Sequence, residues 1–476
     1  MTCRERATFG ANLGRGRALL FRALAKLRNM GIRAAFHAWV YRQYRGHTWV
    51  NRAYALVVPL LAWTGIDRYF DGVVRRKLAM DGIGIDVRLK EHQSDPEAGV
   101  ARASDLPYPG VNLIGNFDAP TGAGQQCRQV ARCLAQHGHP QAPITIELDQ
   151  QWMPLPPKLR HNPHPVNLFY VNVELVPALP RLLGDDFFRD RYNIGFWAWE
   201  QSQFPDDWID RFEVLDEIWV PTGFVQRLVA EKSPIPVVTI GGHVRCPGPP
   251  MHTRGDLGWP SDRYVFLFVF DPTLEPGNIQ RKNPDGLIEA YRAAFGPDFH
   301  ETLLVIKTHG LFRTPTAYRR LRAAVESVRG LLIDESVTQE HLDSIFHAAD
   351  AYVSLHRGEG FGLPLAEMMM LGKPVIATGY SGNTDYMTPG NSWLIPYRLV
   401  EVGDSGFGPR QPGACWAQPD IEEAALIMRR VAQNQREAKS VGEKAKADIT
   451  RQYGSGAAYG RIRDRLSLIA HWRSGR

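Results

Sequence analysis

The sequence predicts an α/β protein: two Rossmann-like domains behind a basic, helical N-terminal extension. Three observations predict it. First, the apolar run Ala351–Leu355 is followed by a glycine loop, a helix opened by Pro364 and ended by Gly372, and a second apolar run, Pro374–Thr378. Strand, glycine loop, helix, strand is half of a doubly wound domain. Second, strand-like runs recur on both sides of a Pro- and Gly-rich, apolar-poor stretch, His243–Pro260, which reads as a linker. Third, charge is segregated. Residues 1–66 hold eleven Lys or Arg and one acid, Glu5, leaving 45 basic against 49 acidic residues in the rest.

A chain of 476 residues accommodates two or three domains. Its five cysteines, Cys3, Cys127, Cys133, Cys246 and Cys415, are scattered with no C-x-x-C. That argues against a disulfide framework or a structural zinc site and suits a reducing compartment. The slightly acidic body argues against nucleic acid as a partner.

The extension reads as amphipathic helix, with Leu19, Leu20, Leu24 and Leu27 on one side of Arg17–Arg28 and six Trp or Tyr residues between Trp39 and Trp63. Its most apolar piece, Tyr54–Ile66, is thirteen residues long and interrupted by Pro59, short of the ~20 a membrane span needs. It also lacks the flanks of a secretory signal, and residues 1–66 contain no serine, which lowers the case for a transit peptide. Contact with an anionic membrane surface is one expectation for this arm; a helical extension packed on the body, its arginines solvated, is the other.

Val111–Phe117 reads as the first strand, Asp118–Gly124 as a glycine loop and Gln125–His137 as a helix. The glycines Gly122 and Gly124 serve either a cleft ligand or merely a tight turn. Pro143–Leu148, Val166–Val173, Tyr192–Trp199, Glu217–Val220 and Val237–Ile240 are the next strands. Glu200 stands at a strand's carboxyl end, where an open α/β sheet presents its crevice; a helix cap or surface carboxylate is the alternative. Tyr264–Phe270 opens the second domain, residues 271–283 form its first loop, and Pro284 starts a helix. Thr302–Lys307 and Leu331–Asp334 are strands, Ser381–Asp385 is a loop, and Asp420 to Gln435 and beyond is helical.

The chemistry concentrates after Leu355. Glu359 lies among Gly358, Gly360 and Gly362, where backbone approaches a ligand closely, and Glu367 follows eight positions later, about one turn into the helix. Amides at the helix start favour an anion. An anion cradle with two hydroxyl-binding carboxylates suits a nucleoside diphosphate joined to a sugar, although two glutamates so spaced are also common on solvated faces. Arg281, Lys282 and Lys307 are the candidate cations for the diphosphate. A cation ~4 Å from phosphate is worth about 4 kcal/mol at an effective dielectric of ~20, against ~0.3–1 kcal/mol for a helix terminus. Arg281 and Lys282 read as standing just before a helix start, where positive charge is unfavourable; ordinary surface cations are the competing reading. No D-x-D triplet occurs, so no metal is expected. His356 reads as a packed histidine, with His309 and His164 weaker candidates still.

The strings EGFGLPLAE and GKPVIATGYSGN resemble the donor-binding signature of retaining family-four glycosyltransferases, and within them the bacterial mannosyl- and rhamnosyl-type enzymes of surface-polysaccharide assembly. WAWEQSQFPDDW is similar to that family's WAWE block. The resemblance runs from about Gly110 to the C-terminus and implies the GT-B fold, two Rossmann-like domains facing across a cleft. The extension at 1–109 lies outside it; within it fall an acceptor domain at 110–245, a linker at 246–260, a donor domain at 261–456, and a C-terminal helix at 457–476 that crosses back. It further implies that Glu359 binds donor-sugar hydroxyls and Glu367 the ribose. Amides of Gly360, Phe361, Gly362 and Leu363 hold sugar and phosphate, and Glu200 meets acceptor or donor sugar. Such enzymes retain anomeric configuration by attack on the face the diphosphate leaves, with no protein nucleophile. Asp271 stands where many members have a cation, which leaves Lys282 the principal diphosphate contact. The expectation is a cytoplasmic enzyme, peripheral at the inner face of the cytoplasmic membrane and without cofactor. It would move a hexose, mannose from GDP-mannose foremost, to a lipid-linked or polysaccharide acceptor. A nucleotide-sugar epimerase on this fold and a non-catalytic glycan-binding or scaffold subunit are the rivals.

Overall fold

The computed structural model describes residues 108–474 except 120, 147–160, 273–275, 297–299, 404–407 and 409–410. The basic arm up to residue 107, and the membrane contact expected of it, lie outside the described residues. No described helix is long and apolar enough to cross a membrane.

The first half runs β1 (Val111–Gly115), α1 (Gly122–Gln136), β2 (Gln141–Thr145), β3 (Val166–Tyr170), α2 (Leu179–Leu183), β4 (Tyr192–Phe196), β5 (Glu217–Val220), α3 (Gly223–Ala230) and β6 (Val237–Thr239). Its strands form one parallel sheet in the order β2-β1-β3-β4-β5-β6. The runs are apolar on both faces because both are covered. Ile114, Phe169 and Ile218 pack on one side, Leu113, Leu168 and Ile194 on the other. Three buried asparagines at matching register pin the central strands. Asn112 donates to Asn167 and Asn167 to Asn193, each at 2.9 Å.

The second half runs β7 (Tyr264–Val269), α4 (Pro276–Lys282), α5 (Pro284–Phe295), β8 (Thr302–Thr308), α6 (Pro315–Glu326), β9 (Leu331–Asp334), α7 (Gln339–Ala348), β10 (Ala351–Ser354), α8 (Leu363–Met370), β11 (Val375–Thr378) and β12 (Trp393–Ile395). Its parallel order is β12-β11-β10-β7-β8-β9, so the strand order reverses between β7 and β10. An antiparallel hairpin, β13 (Tyr397–Glu401) with β14 (Cys415–Pro419), and the helices α9 (Ile421–Gln433), α10 (Gln435–Tyr453) and α11 (Ser455–Ser474) complete the chain. The last helix returns to the first sheet. Ile462, Leu466 and Ile469, at helical spacing, join its second face, and Arg465 holds the buried Glu217 through bonds of 2.8 and 2.6 Å.

Several boundaries differ from expectation. Thr121 caps α1, its Oγ1 accepting from the Gly124 amide at 3.3 Å, so Gly122 and Gly124 belong to a helical first turn and not to a loop; Thr is a strong N-cap. Residues 276–282, expected as loop, are helix: Pro276 stands at its start, where a missing N–H costs nothing. The stretch read as helical from Asp420 onward is two helices, separated at Asn434. The strand β12 and the hairpin were not anticipated.

Candidate active site

The reversal of strand order between β7 and β10 leaves a crevice at their carboxyl ends, the usual ligand position in such sheets. Two segments meet there. After β7, α4 ends in Arg281 and Lys282, which therefore sit in the last turn of a helix, where positive charge is favourable. This corrects the expectation that they stand against a helix dipole. Asn283 then adopts a left-handed φ of 55°, its side chain accepting from Gly286 N at 3.3 Å and donating to Leu355 O at 2.8 Å. The Arg357 amide donates to Arg281 O at 2.7 Å. These bonds fasten the end of α4 to the loop after β10.

That loop carries Glu359, 7% exposed. Its carboxylate pairs with Lys282 Nζ and lies 3.5 Å from Arg281 Nη1. Arg281 also donates to Gly358 O at 2.7 Å and stands 3.8 Å from Glu200 of the first half. Burial pushes the Glu359 carboxyl up, but Lys282, then Arg281, outweigh it and hold it down to about 2. Burial lowers the Lys282 ammonium, against the pull of Glu359. The glutamate is thus an anion across the physiological range, and two cations are fixed beside it.

The glycines of this loop, and Gly382 after β11, stand against other protein atoms. A Cβ on Gly358 would fall within 3 Å of Glu200 O, one on Gly360 at 3.0 Å from Ala198 Cβ, and one on Gly382 within 3 Å of Gly360 O. Gly362 requires its residue type, with φ 87° at the start of α8. Thr222 donates to Gly360 O at 3.0 Å and Asp385 accepts from Gly223 N at 2.6 Å, so the two halves touch along the motif. Phe361 is buried between Tyr386 and Tyr453, ring centroids 5.1 and 5.3 Å away, and Leu363 is also core. Their side chains belong to packing. What Gly360–Leu363 retain for a ligand is the amides, and the first amides of α8 have no acceptor within the helix.

Glu367, 3% exposed, does not join the Glu359 cluster. It accepts from Gln129 of α1 at 2.9 Å and pairs with Arg245 at 3.0 Å; burial raises its pKa, against Arg245. Gln125, just past Gly122 and Gly124, donates to Gln339 at 2.9 Å, which places the start of α1 at the cleft. Lys307 is not brought to the cluster. Its ammonium donates to Thr308 O at 2.7 Å and Glu335 O at 2.6 Å. His356 is packed as expected, 3.1 Å from both Ser354 Oγ and Asn383 Oδ1, and burial lowers its pKa. Arg245 and Gln129 escape sequence reading because they reach Glu367 over 122 and 238 positions.

Residues 254–448 match the family of Glycosyl transferases group 1. No curated protein matches the sequence. Among solved structures, sucrose-phosphate synthase from Thermosynechococcus elongatus covers 76% of this chain and 99% of its own, at 16% identity and TM-score 0.56. Anabaena HepE, solved with UDP and glucose, covers 76% and 100% at 15% identity and TM-score 0.54. A glycosyltransferase from Rickettsia africae covers 76% and 98% at 14% and 0.55. S. aureus TarM is a looser likeness, TM-score 0.46 and 14% identity, and the chain spans 55% of its length. At such identities the likeness is one of fold. Together with the family match it places the cluster of Glu359, Arg281 and Lys282 within the matched segment. The second half thus matches glycosyl transferases group 1 over residues 254–448, and the two facing parallel-sheet halves share the GT-B fold of these structures.

Proposed function

We propose that the chain is a retaining hexosyltransferase that moves mannose from GDP-mannose to a lipid-linked or polysaccharide acceptor, without a metal. The observation that carries this reading is the pairing of Glu359 with two fixed cations at the strand-order reversal. An arriving diphosphate competes for Lys282 and Arg281 and frees the Glu359 carboxylate for sugar hydroxyls. The two cations then stabilise negative charge as it grows on the leaving phosphate, in a site closed to water. Glu367 receives the ribose hydroxyls, and the first amides of α8 face the phosphates. Glu200, tied to Arg281, addresses the acceptor or donor sugar. Lys307, its ammonium already held by carbonyls, has no part in it. The basic arm holds the enzyme on an anionic membrane surface at the cytoplasmic face.

HepE is a solved relative seen with UDP-glucose, so uridine is the competing base. A thermal-shift screen of the full chain against GDP-mannose, UDP-glucose and ADP-glucose tests the donor, since a ligand at 100 times its Kd stabilises by about 2.7 kcal/mol. GDP-mannose should raise the melting temperature most; a larger rise with UDP-glucose overturns the base, and loss of turnover on chelation overturns the metal-free mechanism. Deletion of residues 1–66 should weaken sedimentation with anionic vesicles, and equal sedimentation removes the membrane claim.

A further inference from the structure

We propose that Arg245, in the connection between the two halves, is a positioning residue that holds the Glu367 carboxylate in place as the anion receiving the donor ribose. The inference rests on the reading of Glu367 as a ribose contact.

The geometry is a chain of charge fixed at both ends. Arg245 Nε lies 3.0 Å from Glu367 Oε1. Its other edge forks onto Asp343 of α7, Nη1 to Oδ2 at 2.9 Å and Nη2 to Oδ1 at 2.5 Å. Asp343 is itself anchored, accepting from Gly248 N at 2.8 Å and Gln339 Nε2 at 3.0 Å. A guanidinium is rigid and planar, so one fixed carboxylate at one edge sets where the other edge points. Glu367 also accepts from Gln129 of α1. The Arg245 and Gln129 contacts come to Oε1, and Gln125 also bonds the carboxylate. An ionised carboxylate accepts about four hydrogen bonds, so capacity for hydroxyls is left.

The charge balance gives Arg245 its importance. The titratable groups facing Glu367 are Arg245 from the connection, Asp343 from α7 and Tyr352 from β10. The first half contributes Gln125 and Gln129, both uncharged, and Arg128, which faces Arg245. Burial and Asp343 push the Glu367 carboxyl toward its protonated form, and Arg245 opposes both. One guanidinium therefore serves two buried carboxylates. Without it, two acids share a dry pocket and one of them takes a proton. A protonated Glu367 loses the charge-assisted grip on a hydroxyl.

The test is calorimetric titration of GDP-mannose, UDP-glucose and ADP-glucose into the full chain at pH 6, 7 and 8. Their diphosphates carry no titrating proton in that range. The variants are Arg245→Met, Arg245→Lys, Glu367→Gln and the double variant Arg245→Met/Asp343→Asn, which relieves the repulsion left by the first. For the tightest of the three ligands, wild type should change less than about threefold across the range. Arg245→Met should bind weakest at pH 6 and recover as pH rises, by up to about tenfold per pH unit while the carboxyl is protonated. Arg245→Lys should restore a flat profile, and the double variant should show a smaller slope than Arg245→Met. A merely structural arginine would lower affinity equally at every pH, so a flat Arg245→Met profile beside a weakened Glu367→Gln overturns this inference alone. Glu367→Gln binding like wild type, or a wild type that binds none of the three, overturns the ribose reading and this inference with it.

Discussion

Replacing Lys282 by Met separates what the cluster does for stability from what it does for the reaction. The Lys282 and Glu359 side chains are 14% and 10% exposed, so their pair is a buried one. Removing one partner of such a pair costs about 3–5 kcal/mol, because the other charge stays behind in a poor solvent. Arg281, 3.5 Å from Glu359, offsets part of that, so a value near the lower end is expected. Lys282→Met/Glu359→Gln removes both charges and should regain most of the loss, which a pair of melting curves would read. Catalysis follows a different ledger. A fixed cation ~4 Å from a leaving phosphate contributes about 4 kcal/mol at an effective dielectric of ~20, or about 10³ in rate. Lys282→Met should therefore lower kcat about a thousandfold at saturating donor, at a temperature where melting shows the variant fully folded. Lys282→Arg, keeping the charge, should stay within a few tens of wild type. The assay is release of nucleoside diphosphate in the presence of acceptor. If fully folded Lys282→Met turns over within tenfold of wild type, the cations are ordinary partners of a structural glutamate and the electrostatic argument is wrong.

Glu359→Gln should reveal acid linkage. The carboxyl sits at about 2 in the fold against an ordinary 4.5, so its stabilisation is complete above about 4.5 and is lost as pH falls through 2. Wild type and Glu359→Gln should differ in urea midpoint at pH 7 and converge toward pH 2; a constant gap would show that Glu359 is not held as an anion. Gly358→Ala places a Cβ against Glu200 O, a backbone atom that cannot step aside, so the halves must part there. A displacement near 1 Å costs about 10² in rate, which kcat/KM should show together with a larger radius of gyration in X-ray scattering; neither changing would mean the contact is dispensable. His139, 3% exposed, is pushed down to about 4 by burial. The unfolded chain takes its proton first, so this histidine lowers stability as pH falls from 6.5 to 4. His139→Phe should flatten that part of the urea-midpoint profile, and an unaltered profile would show that His139 is not kept neutral by the fold.

What was legible in the sequence was local. Ala351–Ser354 and Val375–Thr378 are strands because their apolar runs are short, β-rich and bounded by glycine. The helix between them opens at Leu363 with Pro364 in its first turn. Glu359, Lys282 and Arg281 stood out as candidates because their motif is continuous or stands next to a proline-marked helix start. Directions were not legible. Lys307 stands one residue before the end of β8, yet its ammonium turns to the carbonyls of Thr308 and Glu335, and nothing within a few positions of it says so. Residues 276–282 carry Pro-Gly-Asn, which reads as a turn, while the structure uses the proline to begin a helix. Arg245 has no motif at all.

The glycine loop shows the limit most sharply, and the reason matters for mechanism. A glycine in sequence announces that something comes close but not what. At Gly358 and Gly360 it is the Ala198–Glu200 backbone of the other half, and at Gly382 it is the loop itself. Several bonds that draw the halves together land on the glycine loop or its neighbours: Thr222 on Gly360 O, Gly223 N on Asp385, Gln129 on Glu367. Contact between the halves and the proposed donor site thus share one short stretch of chain. A ligand whose hydroxyls donate to Glu367 competes with Gln129 for that carboxylate, a contact that also joins the halves. Coupling of that kind needs no separate relay, because the Glu367 carboxylate is itself part of the seam.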